Sequence, residues 1–352
     1  MPLLSCIASQ FVVTGILVYV MGRFARRRKL LDVPNQRSLH TVAVPRLGGA
    51  AFGPVIFGGI LFWQRQLGQV PSPGLRALLL CGTAIYILGL VDDLLSLKSG
   101  LRLVIQGMIA GAFLVVVSPA LPYWPGFPPV AVWILLWIWI VGLTNAYNFM
   151  DGIDGLAATQ AIVASGFWII ASGGMASLIG IVATCIAGAV AGFAVQNWPP
   201  ARIFMGDAGS TTLGFLFGAL PIVSTCGPNG GWLHFAAGTS VMLPFVLDSA
   251  TTFARRILQK ENVLKAHRTH LYQRLSSSRY SSRSVVLLFG CLATVGALGG
   301  LMVLERSPFG ATLSFVIVLS GFLGLIVLER RASGGSFKSA SSAGRADRSG
   351  PD

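Results

Sequence analysis

Apolar stretches separated by glycine, proline or charged residues recur along the whole chain, at residues 3–22, 47–63, 76–92, 101–118, 130–147, 156–173, 176–196, 209–226, 231–249, 284–304 and 307–328. Each has at least the ~17 residues that an α-helix needs to cross a hydrocarbon core of about 30 Å. The pattern predicts an all-α fold, a polytopic membrane helix bundle of ten or eleven transmembrane helices. Residues 1–331 read as a single transmembrane domain, with little chain left over for a soluble one. The remainder, 332–352, is rich in Ser, Gly, Ala and Arg and is expected to be a disordered cytoplasmic tail.

Composition agrees. The 352 residues have a mean hydropathy of +0.73 and only 11% are charged, against roughly a quarter in soluble domains. No positive charge precedes the first stretch, and Arg23, Arg26, Arg27, Arg28 and Lys29 follow it. That order is the reverse of a secretory signal peptide, so the segment reads as a retained span with its N-terminus outside. The five cysteines stand singly in or beside apolar runs, without CxxC or a histidine at metal spacing, and read as small hydrophobes in helix packing.

The formal net charge of +14 invites a nucleic-acid partner. Its distribution argues against one. With the N-terminus outside, segments 23–46, 92–102, 145–155, 197–208, 250–283 and 329–352 share the cytoplasmic side and carry 23 of the 26 Lys and Arg. This is the positive-inside asymmetry of an inner-membrane protein, with the bilayer as the partner. All acidic residues except Glu305 fall on the same side, among them Asp32, Asp92, Asp93, Asp151, Asp154, Asp207 and Asp248. Carboxylates at the ends of membrane helices are costly and point to function.

Candidate chemistry lies in these segments. Asp92 and Asp93 stand side by side at the end of the third stretch, followed by Lys98 and Arg102; adjacent carboxylates suit metal coordination or proton abstraction. In TNAYNFMDGIDGLA, Asn145, Asn148, Asp151 and Asp154 recur every three residues. The first three share a face if the helix continues, and Asp154 can cap the next helix. The segment lacks the alternation and final Glu of an EF-hand. In QNWPPARIFMGDAGSTTLGF, Asp207 opens the eighth stretch, where it can cap the helix or bind a metal while free backbone N–H groups receive a phosphate. Phe204 is placed to stack on a base or pack against lipid. LKAHRTHLYQRL sets His267, Arg268 and His270 among further bases, a cationic cluster for a diphosphate rather than a zinc site. The first loop places Arg37, His40 and Arg46 among prolines, a weaker sign of the same kind. Clustered Asp and Asn oxygens favour Mg²⁺ or Mn²⁺, clustered Arg, Lys and His favour phosphates, and phosphoryl transfer needs both.

VDD, NAYNFMDGIDGLA, FMGDAGS and HRTHLYQ, in this order, resemble the polyprenyl-phosphate N-acetylhexosamine-1-phosphate transferases, a glycosyltransferase family 4 type, from about Asp32 to Gln273. The resemblance implies a UDP-N-acetylamino sugar donor, undecaprenyl phosphate as acceptor, UMP release and Mg²⁺, with the active site on the cytoplasmic face. A homodimer is a possible assembly. By the same resemblance Asn148 and Asp207 match metal ligands, and Asp92 and Asp93 match a catalytic pair near the acceptor phosphate, one of them a proposed base. Asp151 matches a catalytic-site carboxylate. Asp154, Asn197 and Phe204 match uridine-recognising positions, and Arg102, His267, Arg268 and His270 match positions around the diphosphate and sugar.

The first loop, HTVAVPRLGG, lacks the Lys-Thr-Pro pattern of the peptidoglycan branch, and the last motif lacks its run of histidines. The chain looks closer to enzymes that start O-antigen, lipopolysaccharide or other surface polysaccharides, acting on GlcNAc or 6-deoxy amino sugars such as FucNAc and QuiNAc. The alternative, a transporter or flippase of lipid-linked glycans, would place its polar groups near the bilayer midplane instead of at one boundary.

Overall fold

The computed structural model describes residues 2–29, 31–32, 42–227, 230–261, 269–278 and 280–346, with side chains described as far as residue 331. All eleven apolar stretches are helical: α1 (Pro2–Arg28), α2 (Gly48–Gln66), α3 (Pro73–Leu95), α4 (Ser99–Val117), α5 (Pro129–Met150), α6 (Leu156–Ala171), α7 (Leu178–Asn197), α8 (Gly206–Thr225), α9 (Trp232–Leu258), α11 (Ser282–Leu304) and α12 (Pro308–Ala346). Between α9 and α11 lies the one-and-a-half-turn helix α10 (Leu271–Ser276). Nine of the described helices are long and apolar enough to cross a membrane; α2 and α6 are not among them. Two short antiparallel strands, β1 (Leu31–Asp32) and β2 (Val44–Pro45), pair in the first loop.

Local signals set several boundaries. Ser72 accepts the Leu75 N–H ahead of Pro73 at the first turn of α3, and Ser177 accepts the Gly180 N–H at the start of α7; both satisfy amides that a helix start leaves unpaired. Helix α12 runs on to Ala346, and no proline interrupts residues 309–350.

The bundle is organised around α8, which is buried along its full length and packs against α2, α3, α5 and α9. Helices α1 and α7 pair on one flank, and α11 joins α6, α9 and α12 on the other. Close approach at the first turn of α8 depends on glycine. A Cβ on Gly49 would lie 2.2 Å from the Gly209 nitrogen, and one on Gly89 would lie 2.6 Å from the Ala208 Cα. Gly107 of α4 serves a different purpose, since the indole of Trp137 covers it and donates to its carbonyl at 2.8 Å.

Candidate active site

The polar ends of α3, α4, α5, α8 and α9 and the segment after β2 meet at one end of the bundle. At the centre is Asp207, in the first turn of α8. Its Oδ1 accepts from Arg46 Nη2 at 2.5 Å and from Asn148 Nδ2 at 3.0 Å, and its Oδ2 accepts from Arg102 Nη1 at 2.6 Å. The same Arg102 nitrogen reaches Asp92 Oδ2 at 2.5 Å, and Arg46 Nε lies 3.3 Å from Asp93 Oδ1. Three carboxylates are therefore held by two guanidiniums. Asn148 also donates to Ser210 Oγ, one turn along α8, at 2.9 Å.

The two adjacent aspartates have separate tasks. Asp93 accepts the backbone N–H groups of Asp207 and Ala208 at 2.8 and 2.9 Å. It fills the N-terminus of α8, where unpaired amides and the positive dipole end favour an anion. Contrary to the expectation from sequence, the Asp207 and Ala208 amides are therefore not free for a phosphate, and of the two readings of Asp207 the cap falls away: Gly206, at φ 74°, turns the chain so that Asp207 lies within the helix. Asp92 accepts the Leu97 N–H at 2.8 Å, closing the turn after α3 while its other oxygen holds Arg102.

Helix α5 ends at Met150, with Asp151 just beyond it. Asn145 lies too deep for the site and donates to Gln106 of α4 at 2.8 Å. Burial, with the charges of Asp207, Asp93 and Asp154 and against that of Arg46, pushes the Asp151 carboxyl well above the usual carboxylate range. For Arg46, burial works to lower the pKa, but the surrounding carboxylates Asp207, Asp93 and Asp32 outweigh it and hold the guanidinium more firmly charged. Asp154 does not cap α6, whose start is turned by Gly155 at φ 79°; its Oδ2 accepts the Ala201 N–H at 2.8 Å. Asn197, also buried, accepts the Gly155 N–H at 3.0 Å and donates to the Ile203 carbonyl at 2.9 Å. Asp154 and Asn197 thus brace the loop that presents half-buried Phe204. Phe204 in turn joins the first loop, its N–H donating to the Pro45 carbonyl and its carbonyl accepting from Gly48.

His270 stands immediately before α10, its ring 5.8 Å from that of Phe149. His267, Arg268, Arg37 and His40 lie outside the described residues. Sequence reasoning gave Arg46 only a weak place beside His40. Its role becomes visible once the strand pair delivers it to Asp93 and Asp207. Asp248, counted only among the boundary carboxylates, proves to be the partner of His270 at 3.0 Å.

Among the described residues no three or more His, Cys, Asp or Glu side chains are grouped to share one ion. Mg²⁺ takes only one or two protein oxygens beside phosphates and water. The Asp207 carboxylate and the adjacent Asn148 amide, which offers its oxygen when turned about its last bond, form a hard-oxygen pair of that kind. The residues present fit the ion.

Residues 75–225, which carry the paired aspartates, the α5 end and Asp207, match glycosyl transferase family 4. A decaprenyl-phosphate N-acetylglucosaminephosphotransferase of Mycobacterium tuberculosis is 30% identical over 357 residues, covering 91% of this chain and 87% of that protein. The chain belongs to this family. A probable undecaprenyl-phosphate N-acetylglucosaminyl 1-phosphate transferase of Bacillus subtilis is 29% identical over 88% of this chain and 87% of its own length. A phospho-N-acetylmuramoyl-pentapeptide-transferase of Prochlorococcus marinus is 34% identical over 61% of this chain and 67% of its own length. Relatives thus bear names from both branches, and family membership displaces the transporter alternative.

Proposed function

We propose that the chain transfers N-acetylhexosamine 1-phosphate from a UDP-N-acetylamino sugar to undecaprenyl phosphate, releasing UMP, at the cytoplasmic face of a bacterial inner membrane. The observation that carries this reading is the cage at Asp207, in which two arginines and three aspartates from separate segments meet beside Asn148. GlcNAc is favoured over phospho-MurNAc-pentapeptide because the relatives aligned over about nine-tenths of the chain are named for N-acetylglucosamine. The absence of a Lys-Thr-Pro pattern in HTVAVPRLGG supports the same branch, and with it a first membrane step in O-antigen or other surface-polysaccharide synthesis.

The acceptor is a phosphate monoester whose second proton leaves near pH ~6, so it is largely a dianion at neutral pH and needs little help from a base. One of its oxygens attacks the donor's β-phosphorus. The new P–O bond forms as the bond from that phosphorus to the bridging oxygen breaks, and UMP departs with the electron pair. Arg102 and Arg46 are placed to counter the charge of the phosphates and to orient them. Asn148 and Asp207 would hold Mg²⁺ or Mn²⁺, which supplies charge neutralisation on the diphosphate when bound. Asp93 is committed to the α8 N-terminus, so Asp92 is assigned to the acceptor side. Asp154, Asn197 and Phe204 shape the uridine side.

The test is incubation of purified protein with undecaprenyl phosphate and a panel of UDP-N-acetylhexosamines, with and without EDTA. UMP release from UDP-GlcNAc or a 6-deoxy analogue, stopped by EDTA, is expected. Silence with every donor would overturn the reading, and a phospho-enzyme trapped with donor alone would replace direct attack by a covalent route.

A further inference from the structure

Asp248 lies on α9 with no exposed surface. Its carboxylate faces the segment after the undescribed residues 262–268. Oδ1 accepts from His270 Nδ1 at 3.0 Å, from the Leu271 N–H at 3.0 Å and from Thr252 Oγ1 at 3.3 Å, and Oδ2 accepts from the Tyr272 N–H at 3.0 Å. The same segment is tied twice more. Arg255 donates to the Thr269 carbonyl, and Tyr272 donates its hydroxyl proton to the Phe149 carbonyl at 2.7 Å, next to Asn148 on α5. A carboxylate acceptor requires the imidazole to carry its proton on Nδ1, which fixes both tautomer and ring plane.

We propose that Asp248 is the positioning residue of this transferase: it holds His270 in one orientation and, through Tyr272, registers the histidine against the α5 end that carries Asn148 and Asp151. The inference rests on the proposed function and on the family resemblance, which matches His270 to a position around the donor diphosphate and sugar. Burying a carboxylate on a spanning helix is costly unless its acceptors are used, and here all four donors but one come from the His270–Tyr272 segment. Asparagine in its place keeps the shape but offers one acceptor oxygen for two sets of donors, so one set must face an NH₂ group.

The test is a kinetic double-mutant cycle with Asp248→Asn, His270→Ala and the pair, assayed as UMP release and accompanied by thermal unfolding in detergent. In metal sites, outer-shell carboxylates that orient a ligand histidine are typically worth about 10- to 100-fold, and a loss of similar size in kcat/KM is expected for Asp248→Asn. The pair should be no slower than His270→Ala alone, because the aspartate acts through the histidine. A merely structural role would lower the unfolding temperature and give multiplicative losses in the pair, which would overturn the proposal; so would wild-type kinetics for Asp248→Asn. If Asp248→Asn does not survive extraction, Asp248→Glu, which keeps the charge and displaces it by one methylene, enters the same cycle with the same expected non-additivity. A wild-type protein that releases no UMP from any donor would instead overturn the function beneath the proposal.

Discussion

Two carboxylates at the same end of the bundle are satisfied in opposite ways. Asp207 is met by side chains, two guanidiniums and an amide, all of which can turn toward a substrate. Asp248 is met largely by backbone N–H groups and by a histidine whose neighbours are fixed with it. The first arrangement suits exchange of partners during a reaction, and the second suits holding a shape. Partner type, more than burial or charge, separates chemistry from scaffolding here.

The comparison is broken most severely at Asp207. Asp207→Ala is expected to lower UMP release by at least about 10³-fold while the protein still inserts, since it removes both the proposed metal ligand and the partner of two arginines; near-normal turnover would take Asp207 out of that role. The arginines come next and should differ. Arg102 has a side chain only 16% exposed and bridges Asp92 and Asp207, whereas that of Arg46 is 43% exposed. Each removal strands buried carboxylates, but Arg102→Ala, at the more enclosed cation, should cost roughly 100-fold in kcat/KM and the larger share of stability, and Arg46→Ala about 10-fold with a smaller drop in unfolding temperature. Equal effects of the two on both measures would erase the distinction.

A smaller effect probes the scaffold directly. Gly89→Ala forces α3 away from Ala208 and should destabilise by about 1–3 kcal/mol in a denaturation series, with activity falling because Asp93 leaves the α8 amides. The smallest concerns Asp151. Its carboxyl pKa is raised in the folded protein, so the folded chain holds a proton that the unfolded chain releases above about pH 4. Its contribution to stability is present below that pH and is lost as pH rises toward the folded value. Asp151→Asn should flatten this decline; an unchanged pH profile of unfolding would contradict the raised value.

The spans were legible because crossing a bilayer demands length and apolarity, and both are written locally. VDD, the α5 end and FMGD were legible because polar groups at the ends of apolar helices are conspicuous. What sequence could not convey was the pairing of distant segments. Nothing near Asp93 says that it caps a helix 114 residues later, and nothing near Asp248 names His270. Asn145 shares the three-residue spacing of Asn148 yet lies one turn too deep, and Asp154 and Asn197 spend their hydrogen bonds on loops. Local spacing identified the polar residues, and the packing of α8 against α3 and α5 decided which of them meet.

The complete enclosure of α8 has a consequence for how the protein is made. Its first turns carry Asp207, Ser210, Thr211 and Thr212. Buried on every side, α8 draws its stability in the folded protein from other helices rather than from lipid. Its seating in the bundle therefore depends on helices already synthesised, α2, α3 and α5, which offer the glycine-lined slot and the Asp93 carboxylate that receive it. Assembly and catalysis then share one contact: the pairing that seats α8 is the pairing that sets Asp207 in place.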